Sequence, residues 1–200
     1  MLYKATVRES TFDLLVNLQS IDEFSGLRLV GGTALALQIG HRISVDLDLF
    51  GEIDFDSQVF NTFSKVQLIK KSQNINIFEI NNVKVDIVNY RYPWLEDELQ
   101  IEKIRLAGLK DIAAMKIAAV IGRGSKKDFV DLYFLLKKFS FNEIISFYKN
   151  KYSDASVYLA LKSLLYFDDA DKEPPLNMLI EVPWEEVKNV ITKHIVDYSQ

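Results

Sequence analysis

The chain contains no cysteine, which excludes disulfides, thiol catalysis and cysteine-ligated zinc or iron–sulfur sites. Its two histidines, His41 and His194, are too few and too far apart in the sequence for a metal site built from several histidines. Glycine and proline are scarce, with 8 and 4 residues in 200, so little of the chain is suited to linkers. No run of about 20 apolar residues is present and the first ten residues lack the apolar core of a signal peptide, so we expect a cytoplasmic protein without a membrane span.

The charge balance is mildly acidic, with 24 Lys and Arg against 28 Asp and Glu and a net charge of −4. This excludes a uniformly basic nucleic-acid-binding protein but not a local basic patch. Nine basic and three acidic residues between positions 103 and 138 give that stretch a net charge of +6, with Arg123, Lys126 and Lys127 near its middle. Such a patch would hold a triphosphate or an RNA backbone, although solvated helix ends give the same pattern.

Short β-type runs alternate with helical stretches before Gly108, and almost every stretch after it has helical periodicity. We therefore expect an α+β protein with an α/β lobe over residues 1–107 and a helical lobe over residues 108–200. The predicted strands cover residues 27–30, 45–49, 66–71, 74–80, 83–90 and 102–106. The predicted helices cover residues 9–22, 33–40, 109–122, 125–138, 154–167 and 183–198, with others beginning near Asp54 or Asp56 and at Ser140.

Local signals mark several element ends. The pair Asn81-Asn82 favours a hairpin turn between two strands. Ser125 with Asp128, and Ser140 with Glu143, fit the capping-box pattern of a helix start.

Two aspartates, Asp46 and Asp48, alternate with apolar residues in the strand predicted over 45–49, so both side chains face the same side. Their Cβ atoms would be about 7 Å apart, within reach of one shared ion. Neighbouring like charges need a positive partner, and Mg²⁺ suits them because it prefers oxygen ligands and leaves positions for phosphate. Asp86 completes a cluster of three if its strand lies beside the first. The alternative is that all three are exposed positions on amphipathic strands.

The strand predicted over 27–30 ends at Gly31-Gly32, and Thr33 is predicted to cap the helix that follows. Backbone N–H groups at such a glycine turn approach a phosphate closely, and the start of the helix favours the same anion. The arrangement predicts a phosphate cradle beside the carboxylates, although a simple turn would use the same two glycines.

The string GGTALALQIGHRISVDLDLF resembles the first motif of the nucleotidyltransferase superfamily, in which Gly-Gly or Gly-Ser precedes an Asp-x-Asp pair on a strand. Its GHR-x-S-x-D-x-D-x-F portion is similar to the AbiEii/AbiGii toxin branch, as is the later KDIAAMKIAAVIGRGSKKDFVDLYFLL. Together the matches extend over about residues 27–136. The resemblance implies a mixed sheet with flanking helices, followed by a helical C-terminal lobe.

The resemblance also implies a bacterial, Mg²⁺-dependent enzyme that transfers NMP from an NTP to an acceptor. In this branch the acceptor is a tRNA end or a protein hydroxyl, and the enzyme is typically the toxin of a toxin–antitoxin or abortive-infection pair, with a cognate antitoxin as partner. The implied metal ligands are Asp46, Asp48 and Asp86. Gly32 stands where many relatives have serine, so the hydroxyl contact to phosphate would have to come from Thr33.

Lys116 shares a helix face with apolar residues, so it either extends to the surface or reaches a buried partner. The resemblance implies that Lys116 contacts the triphosphate and that Asp131, on the next helix, is a functional acid. For Asp128 we favour the capping role with Ser125. Arg42 would contact a phosphate or an acidic side chain such as that of Asp48.

Three other functions stay open. The chain could be a non-catalytic binding module that keeps the same fold, or a metal-dependent phosphohydrolase using the same carboxylates. It could also be a nucleotidyltransferase that modifies a small molecule.

Overall fold

The computed structural model describes residues 1–53 and 57–200, over which the chain forms a mixed seven-stranded sheet and several helices. The α+β class predicted from the sequence is confirmed. The strands are β1 Arg28–Val30, β2 Leu47–Gly51, β3 Val66–Lys71, β4 Ile75–Ile80, β5 Val83–Asn89, β6 Leu99–Ile101 and β7 Ile104–Leu106. The α-helices are α1 Glu9–Gln19, α2 Gly31–Ile39, α3 Leu109–Gly122, α4 Lys126–Leu136, α5 Phe141–Lys151, α6 Val157–Leu164, α7 Asp168–Asp171 and α8 Trp184–Tyr198. Short 3-10 helices cover Lys4–Thr6, Asp22–Phe24 and Ser57–Thr62.

The first of two compact units contains Met1–Tyr92 and Asp97–Ala107, and it holds the whole sheet. The strand order is β3-β4-β5-β2-β1-β7-β6. Strand β2 at the centre pairs antiparallel with β1 and parallel with β5. Helix α2 packs against β1 and β2, and α1 packs against β7. The apolar residues of the central strands are fully buried on one face of the sheet. Because side chains alternate along a strand, the residues between them face away from the core.

Most strand predictions in this unit hold, and the Asn81-Asn82 turn is confirmed, with both residues at positive φ. The prediction of one edge strand over 102–106 is wrong. Glu102 and Lys103 form a turn with φ of 50° and 70°, so the segment is a hairpin in which β7 lies beside β1 and β6 forms the edge. The start predicted for the helix at Asp54 or Asp56 lies outside the described residues.

The second unit contains Pro93–Glu96 and Gly108–Gln200 and is helical. Helix α3 packs against α4, α5 and α6, while α8 packs against the same three helices. The Ser140–Glu143 capping box at the start of α5 is confirmed. The helix predicted over 154–167 is shorter in the structure. Ser156 is its N-cap, so the helix begins at Val157, and it ends at Leu164.

A buried ion pair anchors the Pro93–Glu96 segment within the second unit. Lys151 Nζ lies 2.6 Å from Asp111 Oδ1, and both side chains are fully buried. The Asp111 carboxylate also accepts hydrogen bonds from the backbone N–H groups of Leu95 and Glu96. No described helix is long and apolar enough to span a membrane.

Candidate active site

Two of the three predicted aspartates face the same side of the sheet on adjacent strands. Asp48 on β2 and Asp86 on β5 are register partners in a parallel pair, so their side chains project from one face. The residues that flank each aspartate along its strand are fully buried on the opposite face. The strands are therefore neighbours, as the sequence argument for a shared acidic site requires.

The two oxygens of Asp86 have different surroundings. Oδ2 lies 2.7 Å from the ammonium of Lys84, which is two residues earlier on the same strand. Oδ1 is buried and has no hydrogen-bond partner among the described residues. A buried carboxylate oxygen without a donor is costly in a native structure, and a bound cation or water is what usually satisfies it.

Asp46 lies just before β2 rather than within it, and Val45 beside it is 53% exposed, so the alternation predicted from residue 45 begins only at Leu47. The predicted capping role of Thr33 is also wrong, because α2 already begins at Gly31 and Thr33 lies inside its first turn. The buried Thr33 hydroxyl instead donates to the carbonyl oxygen of Asp46 and lies 2.8 Å from the hydroxyl of Ser44. Thr33 thus fixes the segment that carries Asp46, and its role as a phosphate ligand stays a prediction.

Gly31 brings the start of α2 against the carboxylate of Asp48. Its φ is +68°, a conformation that residues with a side chain rarely adopt. A Cβ at this position would lie only 2.3 Å from Asp48 Oδ2. Glycine is therefore required for both the backbone conformation and the space, and the helix start stays next to the acidic group.

Gly32 makes room for Arg42. A Cβ at Gly32 would lie 2.2 Å from Arg42 Nη2 and 3.4 Å from Ser44 Oγ. Arg42 is only 4% exposed, and its guanidinium donates to the carbonyl oxygen of Ile43 at 3.0 Å. This packing gives a physical reason for glycine at position 32, because a serine here would force the buried guanidinium to shift.

The carboxylates of Asp48 and Asp86 suit a hard divalent cation, although they do not form a complete metal site by themselves. Among residues 1–53 and 57–200, no three His, Asp or Glu side chains are grouped so that they could hold a metal ion. Asp48 and Asp86 nevertheless supply carboxylates on one face, and Asp86 Oδ1 is a buried oxygen in need of a partner. Mg²⁺ is often held by only one or two carboxylates together with substrate phosphates, so these residues fit that ion.

Lys116, in the second unit, is buried between two carboxylates of α4. Its ammonium lies 2.6 Å from Asp131 Oδ2 and 3.1 Å from Asp128 Oδ1, and none of the three side chains is more than 4% exposed. Of the two options left open for Lys116, the structure shows the buried partner. The implied roles of Lys116 at the triphosphate and of Asp131 as a functional acid stay predictions.

Asp128 is the centre of this cluster rather than a capping residue. Arg123 contacts both its oxygens, at 2.7 and 2.9 Å, and the Ser125 hydroxyl donates to it at 2.7 Å. Ser125 is the N-cap of α4, but its side chain makes no capping bond to the backbone, so the predicted capping box is wrong. Burial alone would raise the pKa of Asp128, yet the hydrogen bond from Arg123 and the charge of Lys116 outweigh it and lower the pKa to about 2.

The basic stretch over 103–138 is not a continuous exposed patch. Lys126 is 8% exposed, and both its backbone N–H and its ammonium contact Glu173. Arg105 donates to the carbonyl oxygens of Gln19 and Phe24. Basic residues that satisfy internal acceptors add little to an electrostatic surface for RNA, so the net charge of the stretch overstates it.

Known proteins share the family and the fold of this chain. A family model described as the nucleotidyl transferase AbiEii toxin of type IV toxin–antitoxin systems matches residues 13–71. The uncharacterized protein aq_aa25 of Aquifex aeolicus (strain VF5) is 39% identical over 182 residues, which cover 86% of this chain and 87% of that protein. An H. pylori crystal structure described as a nucleotidyltransferase is 17% identical with a TM-score of 0.60, over 94% of both chains. The nucleotidyltransferase toxin MenT4 (Rv2826c) of Mycobacterium tuberculosis H37Rv is 16% identical with a TM-score of 0.55, over 95% of this chain and 86% of its own.

The structural likeness defines the fold as that of a nucleotidyltransferase. The residues that the family model matches include both Gly31-Gly32 and the Asp46–Asp48 segment, whose sequence resembles the superfamily motif. The chain belongs to one family with the Aquifex protein. Its residues 13–71 match the AbiEii nucleotidyltransferase toxin model, so we identify it as a nucleotidyltransferase.

Sequence reasoning missed Lys84 at this site. Its only signal is the spacing of two from Asp86 on a predicted strand, which puts both side chains on one face. The contact with Asp86 and the burial of Oδ1 became visible only in the structure.

Proposed function

We propose that the chain transfers NMP from an NTP to an acceptor hydroxyl with the help of Mg²⁺, as the toxin of a toxin–antitoxin or abortive-infection pair. The observation that supports it best is the pairing of Asp48 with Asp86 on one sheet face, beside the helix start at Gly31. Family membership supports the reaction type, and the toxin–antitoxin description of the family model supports a cognate antitoxin as partner. The acceptor is RNA, such as a tRNA end, or a protein hydroxyl.

In this proposal Asp48 and Asp86 hold the cation, and Asp46 joins them from the segment that Thr33 fixes. When bound, Mg²⁺ would neutralise charge on the phosphate oxygens and make the acceptor hydroxyl more acidic. Gly31 and Gly32 let the backbone at the start of α2 approach the triphosphate, and the helix N-terminus favours its negative charge. The acceptor oxygen bonds to the α-phosphorus, the hydroxyl proton is lost and pyrophosphate leaves. The chain supplies positioning and charge rather than a covalent nucleophile.

The test uses labelled NTPs, Mg²⁺, total RNA and a protein lysate, with wild type, Asp48→Asn and Asp86→Asn. We expect wild type to label one class of acceptor and each variant to lose at least about a hundredfold in rate, because each removes a charged ligand. Glu79→Gln is the matched control, since it removes one carboxylate from an exposed residue of β4 in the same sheet. Full labelling by both aspartate variants would refute the site, and release of phosphate without a labelled acceptor would indicate hydrolysis.

A further inference from the structure

Lys84 contacts a carboxylate along its own strand although another lies directly across from it. Its ammonium is 2.7 Å from Asp86 Oδ2, and its side chain is 44% exposed. The register partner of Lys84 on β4 is Glu79, which is itself exposed. Opposite charges in direct cross-strand pairs attract one another, yet the described residues contain no Lys84–Glu79 ion pair. The ammonium is therefore held at the acidic group.

The surroundings of Asp86 explain this preference. Asp48 is its register partner on the same face, so two carboxylates lie side by side. Like charges at this spacing repel and favour a nearby cation. Lys84 supplies one positive charge to Oδ2 but leaves the buried Oδ1 without a partner. Lys84 thus compensates one oxygen of Asp86, and the other oxygen fits a further cation.

We propose that Lys84 is the counter-ion of Asp86 when no divalent cation is bound, and that it competes with that cation for the carboxylate. The inference rests on the proposed function, because it takes Asp48 and Asp86 as the residues that hold the metal. Both cations are drawn to one carboxylate and repel each other, and at about 5 Å in salt solution this repulsion lowers metal affinity about three- to tenfold. Lys84 can leave without disturbing the core, because its neighbour Val85 is buried on the other face.

The experiment measures binding of Mn²⁺ alone to the full chain, without nucleotide, by calorimetry or electron paramagnetic resonance. We expect Lys84→Gln to bind Mn²⁺ about three- to tenfold more tightly than wild type, since the competing charge is gone. Lys84→Arg keeps the charge and should bind like wild type. Lys71→Gln is the matched control, because Lys71 is an exposed lysine of the same sheet whose register partner is Asn76. Unchanged or weaker binding by Lys84→Gln would overturn the inference.

Two further measurements separate this inference from the proposed function. Asp86→Asn should weaken Mn²⁺ binding; if it does not, the metal assignment and the inference both fail. If Asp86→Asn weakens binding but Lys84→Gln does not tighten it, only the inference fails. In thermal unfolding, Lys84→Gln should be less stable than wild type in EDTA, and saturating Mn²⁺ should narrow that difference. A difference unaffected by Mn²⁺ would mark an ordinary surface ion pair and overturn the inference.

Discussion

Replacing Lys116 by methionine tests how much its buried ion pairs with Asp128 and Asp131 stabilise the helical unit. The change removes a positive charge 2.6 Å from Asp131 and 3.1 Å from Asp128, in a cluster where no side chain of the three is more than 4% exposed. Methionine keeps the length of the side chain and its apolar contacts. Removing one partner from a buried ion pair typically lowers the free energy of unfolding by about 3–5 kcal/mol, because the remaining charge stays buried away from water without that partner.

We expect the upper part of that range to be reached only if both aspartates depend on Lys116. Asp128 keeps the two contacts from Arg123 and the hydroxyl of Ser125, so we expect a loss at the lower end of that range. A decrease of about 3 kcal/mol in the free energy of unfolding is therefore expected. Urea unfolding followed by circular dichroism measures it, and this loss is a large share of the stability of a typical domain.

The double variant Lys116→Met/Asp131→Leu provides the control. Replacing a buried ion pair by apolar residues of similar size is often nearly neutral, so the double variant should be more stable than Lys116→Met alone. A Lys116→Met protein within about 1 kcal/mol of wild type, or a strictly additive double variant, would refute this interpretation of the cluster. Nucleotide binding by the stable double variant then reports whether Lys116 and Asp131, taken together, also act at the nucleotide, as the family resemblance implies.

Two further predictions concern pH and packing. The pKa of Asp128 is lowered from 3.8 to about 2, which contributes roughly 2 kcal/mol to the free energy of unfolding. This contribution is present above pH 4 and is lost as the pH falls through 2. The acid unfolding of Asp128→Asn should therefore lack this pH-dependent loss. Gly51→Ala should lower the free energy of unfolding by about 1–3 kcal/mol in urea, because its Cβ would lie 2.2 Å from the backbone oxygen of Gly26. Gly122→Ala, whose Cβ would meet no atom within 4 Å, is the control, and equal effects of the two substitutions would contradict the packing argument.

The common face of Asp48 and Asp86 was accessible from the sequence, because each lies between apolar residues on a strand and the alternation of two decides the face. That the two aspartates lie on adjacent strands could not be predicted from the sequence. Strand periodicity says which side a residue faces but not which strands pair, and β2 and β5 are separated along the chain by the β3–β4 hairpin. The sequence argument could state the pairing only as a condition, and the register supplies it.

Turns that lack typical turn residues such as glycine or asparagine were the hardest features to predict from the sequence. Asn81-Asn82 carries residues that tolerate positive φ, and the turn was predicted correctly. Glu102 and Lys103 adopt the same region of backbone space without glycine or asparagine, so no local signal divided the segment into β6 and β7. At the start of α2, Thr33 is a good capping residue by type, but the backbone freedom of Gly31 lets the helix begin two residues earlier.

Counting charges along the sequence was a poor guide to which charged side chains are exposed in the structure. A count over 103–138 treats every lysine and arginine as a free cation. Lys116, however, neutralises aspartates, and the Lys126 ammonium donates to the backbone carbonyl oxygen of Glu173. Long basic side chains can end inside a helical unit as easily as outside it, because their stems pack with apolar neighbours. On the sheet, by contrast, the exposed lysine Lys84 lies against the acidic site. The position of a charge relative to a buried acceptor therefore carries more functional information here than the number of charges along the chain.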